Sequence, residues 1–368
     1  MNRPDTNVFE YKCPNCGGAV AFDSTAQKLV CPYCDTEFDI GALQNNDAAL
    51  ASAEGASDSM EWQSASQEQW TEDEVNGMRS YICNSCGGEI IGDANTAATS
   101  CPFCGNHTIM MSNFTGSLKP HFVIPFKKDK EFAKQQLLKF YEGKKLLPKA
   151  FKDSNHIDEI KGVYVPFWLF DTKVDAKMRF KATRTRAWTS GGYDYVETEH
   201  YAVDRAGTVE FEKVPVDGSS KMADDMMESI EPYDFREAVP FSTAYLSGFF
   251  ADKYDVDADT CIKRANERIK RSTEEKMRRT VSNYSSVTTE SSVVNFEDGV
   301  TSYAFYPVWM LGTTYEGKRY TFAMNAQTGK FVGDDLPIDK TKSLLYLLGM
   351  ALGFGAAIFA AIALFLAI

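Results

Sequence analysis

Cys13-Pro14-Asn15-Cys16 is followed, after fourteen residues, by Cys31-Pro32-Tyr33-Cys34, and the arrangement returns at the same spacing as Cys83-Asn84-Ser85-Cys86 and Cys101-Pro102-Phe103-Cys104. The flanks repeat too: Cys16-Gly17-Gly18 matches Cys86-Gly87-Gly88, and Tyr11 matches Tyr81. A C-x2-C turn presents two thiolates to one ion, and a second such turn across a short hairpin completes a tetrahedron of soft ligands. Glycines just after such a turn suit a knuckle that needs positive φ. The pattern predicts two zinc ribbons, each holding one structural Zn2+: Cys13, Cys16, Cys31 and Cys34 in the first, Cys83, Cys86, Cys101 and Cys104 in the second.

Two other chemistries use such cysteines. Cys31-Pro32-Tyr33-Cys34 alone has the form of a redox centre, but a redox centre has no need of a second pair upstream or of a duplicate. A disulfide framework belongs to secreted chains, and Met1 to Phe9 is polar, without the apolar core of a secretory signal. The ninth cysteine, Cys261, falls in a helical pattern and reads as a partly buried thiol.

The opposite end of the chain decides its setting. Leu344 to Ile368 contains no charged residue. At about 1.5 Å per residue such a run crosses a hydrocarbon core of roughly 30 Å with some tilt. Lys340 and Lys342 precede it, and the positive-inside tendency keeps that side cytoplasmic. The expectation is a single-pass, tail-anchored protein of the cell membrane, with its N-terminal bulk in the cytoplasm.

Between these ends the chain reads as follows. Residues 10–40 form ribbon one, too small to fold without metal. Residues 41–78 read as an acidic flexible linker: no lysine or arginine lies between Lys28 and Arg79, while Asp47, Glu54, Asp58, Glu61, Glu68, Glu72, Asp73 and Glu74 accumulate. Trp62 and Trp70 are out of place there. They either dock on the folded part or mark a partner-binding segment. Residues 79–110 form ribbon two, 111–337 an α+β cytoplasmic domain, and 344–368 the transmembrane helix.

In the main domain, Asp129–Lys145 and Asp257–Thr280 are predicted helices, the second with a buried stripe of Ala258, Ile262, Ala265 and Ile269. Strand composition marks Val163–Phe170, Lys173–Ala187, Tyr193–Val203, Thr208–Val216, Ser286–Asn295, Val300–Thr313 and Arg319–Met324. Tyr164-Val-Pro-Phe-Trp168-Leu echoes Phe305-Tyr-Pro-Val-Trp309-Met. Either two proline-interrupted strands bury their tryptophans, or the domain is built from two similar halves around a pseudo-twofold. The overall class is therefore α+β: two four-cysteine ribbons, a β-rich main domain and one membrane helix.

The chain resembles the bacterial membrane-anchored proteins with TFIIB-type zinc ribbons, associated with phage-shock-type and flotillin-type (SPFH) proteins. The resemblance rests on the Cys-Pro-Xaa-Cys ribbons, Tyr164 to Trp168, Asp225-Met-Met-Glu-Ser-Ile-Glu-Pro-Tyr-Asp234, Pro240 to Gly248, and Asp335 to Lys340. It implies a non-enzymatic adaptor concerned with envelope stress or membrane-domain organisation, with partners of those two types.

The residues themselves point the same way. The four histidines, His107, His121, His156 and His200, form no catalytic motif, and no phosphate-binding glycine loop occurs, so the chain does not read as an enzyme. Nucleic-acid binding is the alternative, because ribbons often serve it. It requires a basic footprint, and both ribbons are acidic on balance in a chain of net charge −12. Basic residues concentrate instead in Lys127–Lys152 and in Lys263–Arg279. These are either solvated helix faces or a surface toward anionic lipid. Gly349, Gly353, Ala357 and Ala361 recur every four residues of the apolar run, a stripe through which two membrane helices can pair as a homo-oligomer.

Overall fold

The computed structural model describes residues 20–23, 28–34, 36–38, 60–66, 68–94, 96, 98, 100–107, 109–114, 118–149, 151 and 159–366. Three short strands, β1 (Ala21–Asp23), β2 (Lys28–Val30) and β3 (Glu37–Phe38), make an antiparallel sheet. Then come β4 (Gln63–Ser64), α1 (Glu72–Asn76), β5 (Met78–Cys83), β6 (Glu89–Asp93), β7 (Ile109–Asn113), β8 (Phe122–Val123) and α2 (Lys130–Tyr141). Two long strands, β9 (Lys161–Ser190) and β10 (Tyr193–Asp217), precede α3 (Asp224–Ile230), β11 (Val239–Pro240) and β12 (Phe250–Asp252). The chain continues through α4 (Ala258–Arg279), β13 (Ser286–Tyr315), β14 (Lys318–Asn325), β15 (Phe331–Gly333) and α5 (Lys340–Leu366). Twelve of the strands form one mixed sheet.

The six strands expected over 163–216 and 286–313 are three. The polar breaks inside them are absorbed. In β9 the Asp171 carboxylate accepts from the Lys213 amide at 2.6 Å, and Thr172 donates to the Glu297 carbonyl at 2.8 Å. In β13 the break at Asp298-Gly299 is a positive-φ kink, with Met60 and Trp62 lying against Gly299. Backbone that stays hydrogen-bonded through a polar residue has no reason to leave the sheet.

The chain divides into two compact units: residues 1–65, 170–214 and 262–301, and residues 66–169, 215–261 and 302–368. In the second unit the weak echo read from sequence is a structural duplication. β8 runs parallel to β13, pairing Val123 with Phe305, and β12 runs parallel to β9, pairing Ala251 with Tyr164. Trp309 Nε1 donates to the Lys128 carbonyl at 2.7 Å, and Trp168 Nε1 to the Val256 carbonyl at 2.9 Å. Lys128 and Val256 each stand five residues beyond Val123 and Ala251. One residue further, Asp129 caps α2 through the Phe132 amide, and Asp257 caps α4 through the Thr260 amide, both at 2.8 Å. The prolines correspond as well: Gly218 N donates to Pro166 O and Ala326 N to Pro307 O. Each half lends its short strand to the other half's long strand, so the two share one core. Phe167 stacks on Tyr306 at 4.5 Å within it.

The first unit has its own core. Val174, Ala176, Met178, Phe180 and Ala182 of β9 alternate toward Ile269 and Met277 of α4. Trp62 packs edge-on to Phe170 at 5.0 Å, beside β4, which pairs with Val300 and Thr301 of β13. In the second unit Trp70 packs against Phe114 and Phe241, with the Lys119 ammonium over its ring. Both tryptophans are thus docked. Of the expected linker, residues 41–59 lie outside the described residues, whereas 60–66 and 68–78 carry a strand and α1. Thr71 and Glu74 close a capping box on α1. The two indoles bury enough apolar surface to hold an otherwise acidic segment in place.

Helix α5 starts at the Asp339 cap, which accepts from the Thr341 and Lys342 amides at 3.1 and 3.0 Å. It is long and apolar enough to cross a membrane, and no part of its apolar window is buried in the protein.

Candidate metal centre

Cys83 ends β5, and Cys86 closes the turn after it. The Cys83 amide donates to the Gly88 carbonyl at 2.9 Å and the Gly87 amide to the Cys83 carbonyl at 2.8 Å. The second turn repeats this: Cys101 N to Asn106 O at 2.8 Å, Gly105 N to Cys101 O at 2.9 Å. The two turns bring four sulfurs within 4.8 Å of one another, with Cys83–Cys104 and Cys86–Cys101 both at 3.6 Å. Four sulfurs about 2.3 Å from a zinc ion have edges of about 3.8 Å, so the set fits a tetrahedral ion. Cys83, Cys101 and Cys104 are buried and Cys86 partly so.

The electrostatics of the set also fit a cation. Burial pushes the Cys101 thiol far above its ordinary value, against the pull of the Cys104 and Phe103 amides, and burial raises Cys86 as well. Burial would raise Cys83 too, but the Cys86 and Ser85 amides hold it below the usual thiol range. Amides aimed at sulfur favour the thiolate, while burial penalises a thiolate that nothing balances. A divalent cation satisfies both conditions.

Of the first set, Cys13 and Cys16 lie outside the described residues. Cys31 is buried and Cys34 exposed. The Cys31 amide donates to the Thr36 carbonyl at 3.0 Å, the same five-residue closure as Cys101 to Asn106.

Sequence spacing singled out the four cysteines that the structure brings together, Cys83, Cys86, Cys101 and Cys104, but not where they sit. β5 pairs with β6 and β7, and β6 pairs with β12 of the main sheet, so the second cysteine set hangs on the edge of that sheet. The expected boundary at residue 110 falls inside β7. Cys83, Cys101, Phe103 and Cys104 belong to the same apolar cluster as Val165, Phe167 and Tyr306. The contact itself is backbone on backbone: a Cβ on Gly105 would stand 2.6 Å from the Gly312 carbonyl oxygen, and one on Gly312 would stand 2.5 Å from that of Phe103. Gly105 also has φ of +72°. Lys161 was missed altogether; its ammonium donates to the Ser100 carbonyl beside Cys101 and lies over the Phe250 ring. Burial lowers its pKa to about 8, opposed by Cys101 and Glu159. No local pattern marks such a residue, because its neighbours come from distant strands.

Gly312→Ala is therefore expected to destabilise the second unit by about 1–3 kcal/mol. The added methyl meets a carbonyl that cannot rotate away. Thr314→Ala, two residues on and exposed, is the control, expected within about 0.5 kcal/mol of the parent. Equal melting temperatures for the two variants would refute the close docking.

Over 346 residues the chain is 35% identical to the uncharacterized protein YdjG of Bacillus subtilis (strain 168), covering 94% of this chain and 95% of that protein. The chain belongs to the YdjG family. No family model matches it, and no solved structure matches it. The likeness covers nearly the whole of both chains and is therefore not confined to a ribbon.

Proposed function

We propose that the protein is an adaptor of the cytoplasmic membrane face: α5 anchors it, two structural zinc ions hold its ribbons, and its surfaces bind other proteins. The observation that carries this reading is the setting of the second cysteine set. A catalytic zinc keeps a ligand position open to water. Here four cysteines supply a complete tetrahedron, three of them buried in the core, so the ion's role is to hold the fold. The partners fitting this reading are membrane-associated proteins of the phage-shock or SPFH type. The chain's net charge of −12 weighs against nucleic acid.

The test is crosslinking of the full tagged chain in its native membrane. The control is α5 fused to an unrelated soluble domain. We expect one membrane-associated protein to be recovered with the chain and not with the control, and to be lost when Cys31→Ser disrupts the first cysteine set. If no protein exceeds the control, while the purified chain holds DNA or RNA at moderate salt, the adaptor reading is wrong and the nucleic-acid reading replaces it.

A further inference from the structure

The ribbon formed by β9 and β10 outruns the rest of its unit. Ser285, just before β13, meets β9 at Thr183 and Thr185. Beyond that level residues 184–190 of β9 and 193–196 of β10 are all exposed. The cross-strand partners are regular: Thr185 with Thr198, Arg186 with Glu197, Thr189 with Asp194. Strand alternation therefore carries the face that α4 covers at Phe180 and Ala182 straight on to Arg184, Arg186 and Trp188, and on β10 to Tyr195 and Tyr193. Trp188 stacks on Tyr195 at 5.5 Å and 11°, with the Arg186 guanidinium over the indole. Trp188 and Tyr195 are each 44% exposed and Tyr193 is 71% exposed.

The C-terminal end of α4 stands on this same side of the sheet. Arg205 bonds Thr280, Met277 lies over Gly207, and Arg278 donates to the Val287 carbonyl at 3.1 Å. Lys276, Arg278 and Arg279 are exposed there, and α4 as a whole carries eight basic against four acidic side chains. Acids on this side include Glu197, Glu199, Glu274 and Glu275; Tyr201 donates to Glu199 and Ser292 to Glu274. Glu197 is paired with Arg186 and Glu275 with Arg279. Around α2, Lys127 pairs with Glu237, Lys134 with Glu131, and Lys128 and Lys144 lie over phenylalanine rings; Lys276 at the end of α4 likewise lies over Phe211, while Arg278 bonds a backbone carbonyl.

We propose that the aromatic face of the ribbon tip and the basic end of α4 together dock on the surface of an anionic lipid bilayer. Tryptophan and tyrosine favour the headgroup level, where an apolar ring and a polar edge are both satisfied. Lysine and arginine beside them are drawn by the negative surface potential over about a Debye length. α4 covers this face at Phe180 and Ala182 and leaves it uncovered from Arg184 outward, so the rings of the tip and the basic end of the helix lie on one side of the sheet. The inference rests on the membrane-anchored reading of the chain, which supplies the bilayer.

The test uses the full chain in nanodiscs, with bromine on the lipid chains as a short-range quencher. α5 contains no tryptophan, and Trp188 is the one strongly exposed tryptophan among the described residues, so it reports the tip. With phosphatidylglycerol present we expect quenching that Trp188→Phe abolishes. It should fall severalfold when phosphatidylcholine replaces the anionic lipid, or when Arg278→Glu and Arg279→Glu are combined. Equal quenching of the parent and Trp188→Phe overturns the proposal. So does protection of Trp188 from acrylamide by short duplex DNA in place of lipid, which would make this a nucleic-acid surface. Quenching that ignores both charge changes overturns the part assigned to α4. Alkaline extraction of the same samples reads α5 separately: a chain that washes out refutes the anchor, and brominated anionic vesicles added to that chain then test the tip alone.

Discussion

Removing metal from this protein is expected to unfold its second unit, not merely to loosen a small appendage. A structural zinc site contributes on the order of 10 kcal/mol to folding, against a total domain stability of about 5–15 kcal/mol. Cys101, Phe103 and Cys104 share one core with β9 and β13, and the second turn lies backbone to backbone on Gly312. Loss of the ion leaves four thiols at the edge of that core, Cys86 and Cys101 so buried that ionisation is disfavoured. Elemental analysis should find two zinc ions per chain. Chelation, or Cys104→Ser, should abolish the near-ultraviolet dichroism of Trp168 and Trp309. Cys31→Ser should remove one ion and leave that signal intact. If both ions are stripped and the signal and melting temperature persist, the centre does not hold the fold.

The second large effect concerns Asp252. Asp252 is 1% exposed, and apart from a weak contribution from the Ser219 side chain neither carboxylate oxygen has a hydrogen bond among the described residues. Burial raises its pKa from 3.8 to about 8, with Ser219 and Lys221 opposing and Asp255 and Asp217 reinforcing the rise. Tyr303 faces it as well, its own pKa pushed up by burial and by this carboxylate. The folded protein thus holds a proton that the unfolded chain releases. The contribution is most favourable below pH 3.8 and is lost as pH climbs from about 3.8 to about 8. The full span corresponds to ~6 kcal/mol. Asp252→Asn keeps the shape and removes the titration. Its melting temperature should exceed the parent's by several degrees at pH 8.5 and converge with it near pH 4.5. A constant difference between the two across that range would show that Asp252 does not titrate there.

The internal duplication explains why Asp252 stands out. The short strands correspond as Val123 to Ala251, so the next positions, Ile124 and Asp252, are equivalent. Both are buried. One half fills the position with an aliphatic side chain that needs no partner, the other with an acid that finds only Ser219. A six-residue echo around two tryptophans was the only trace of this duplication in the chain, and it left open whether the two prolines simply interrupt edge strands. The indole donors decide the matter. Each bonds a carbonyl just before the helix of the opposite half, a relation between residues 88 and 181 positions apart.

What the sequence by itself determined is what local chemistry imposes. Cysteine spacing names the four sulfurs that gather at the second set, because two turns of fixed length set their reach. An uncharged run marks α5, because a bilayer demands length and apolarity alone. Helices α2 and α4 show in their apolar periodicity and capping aspartates, although the buried face of α4 runs through Cys261, Ala265, Ile269, Thr273 and Met277, and Ala258 and Ile262 of the expected stripe are only partly buried. Only the tertiary structure decided that three strands run where six were expected, that the second cysteine set is part of the main sheet, that the two tryptophans of the acidic segment are docked, and that each repeat lends its short strand to the other. Those outcomes depend on which backbone groups and apolar faces meet across long stretches of chain, and the free energy of such meetings is written in no window of neighbouring residues.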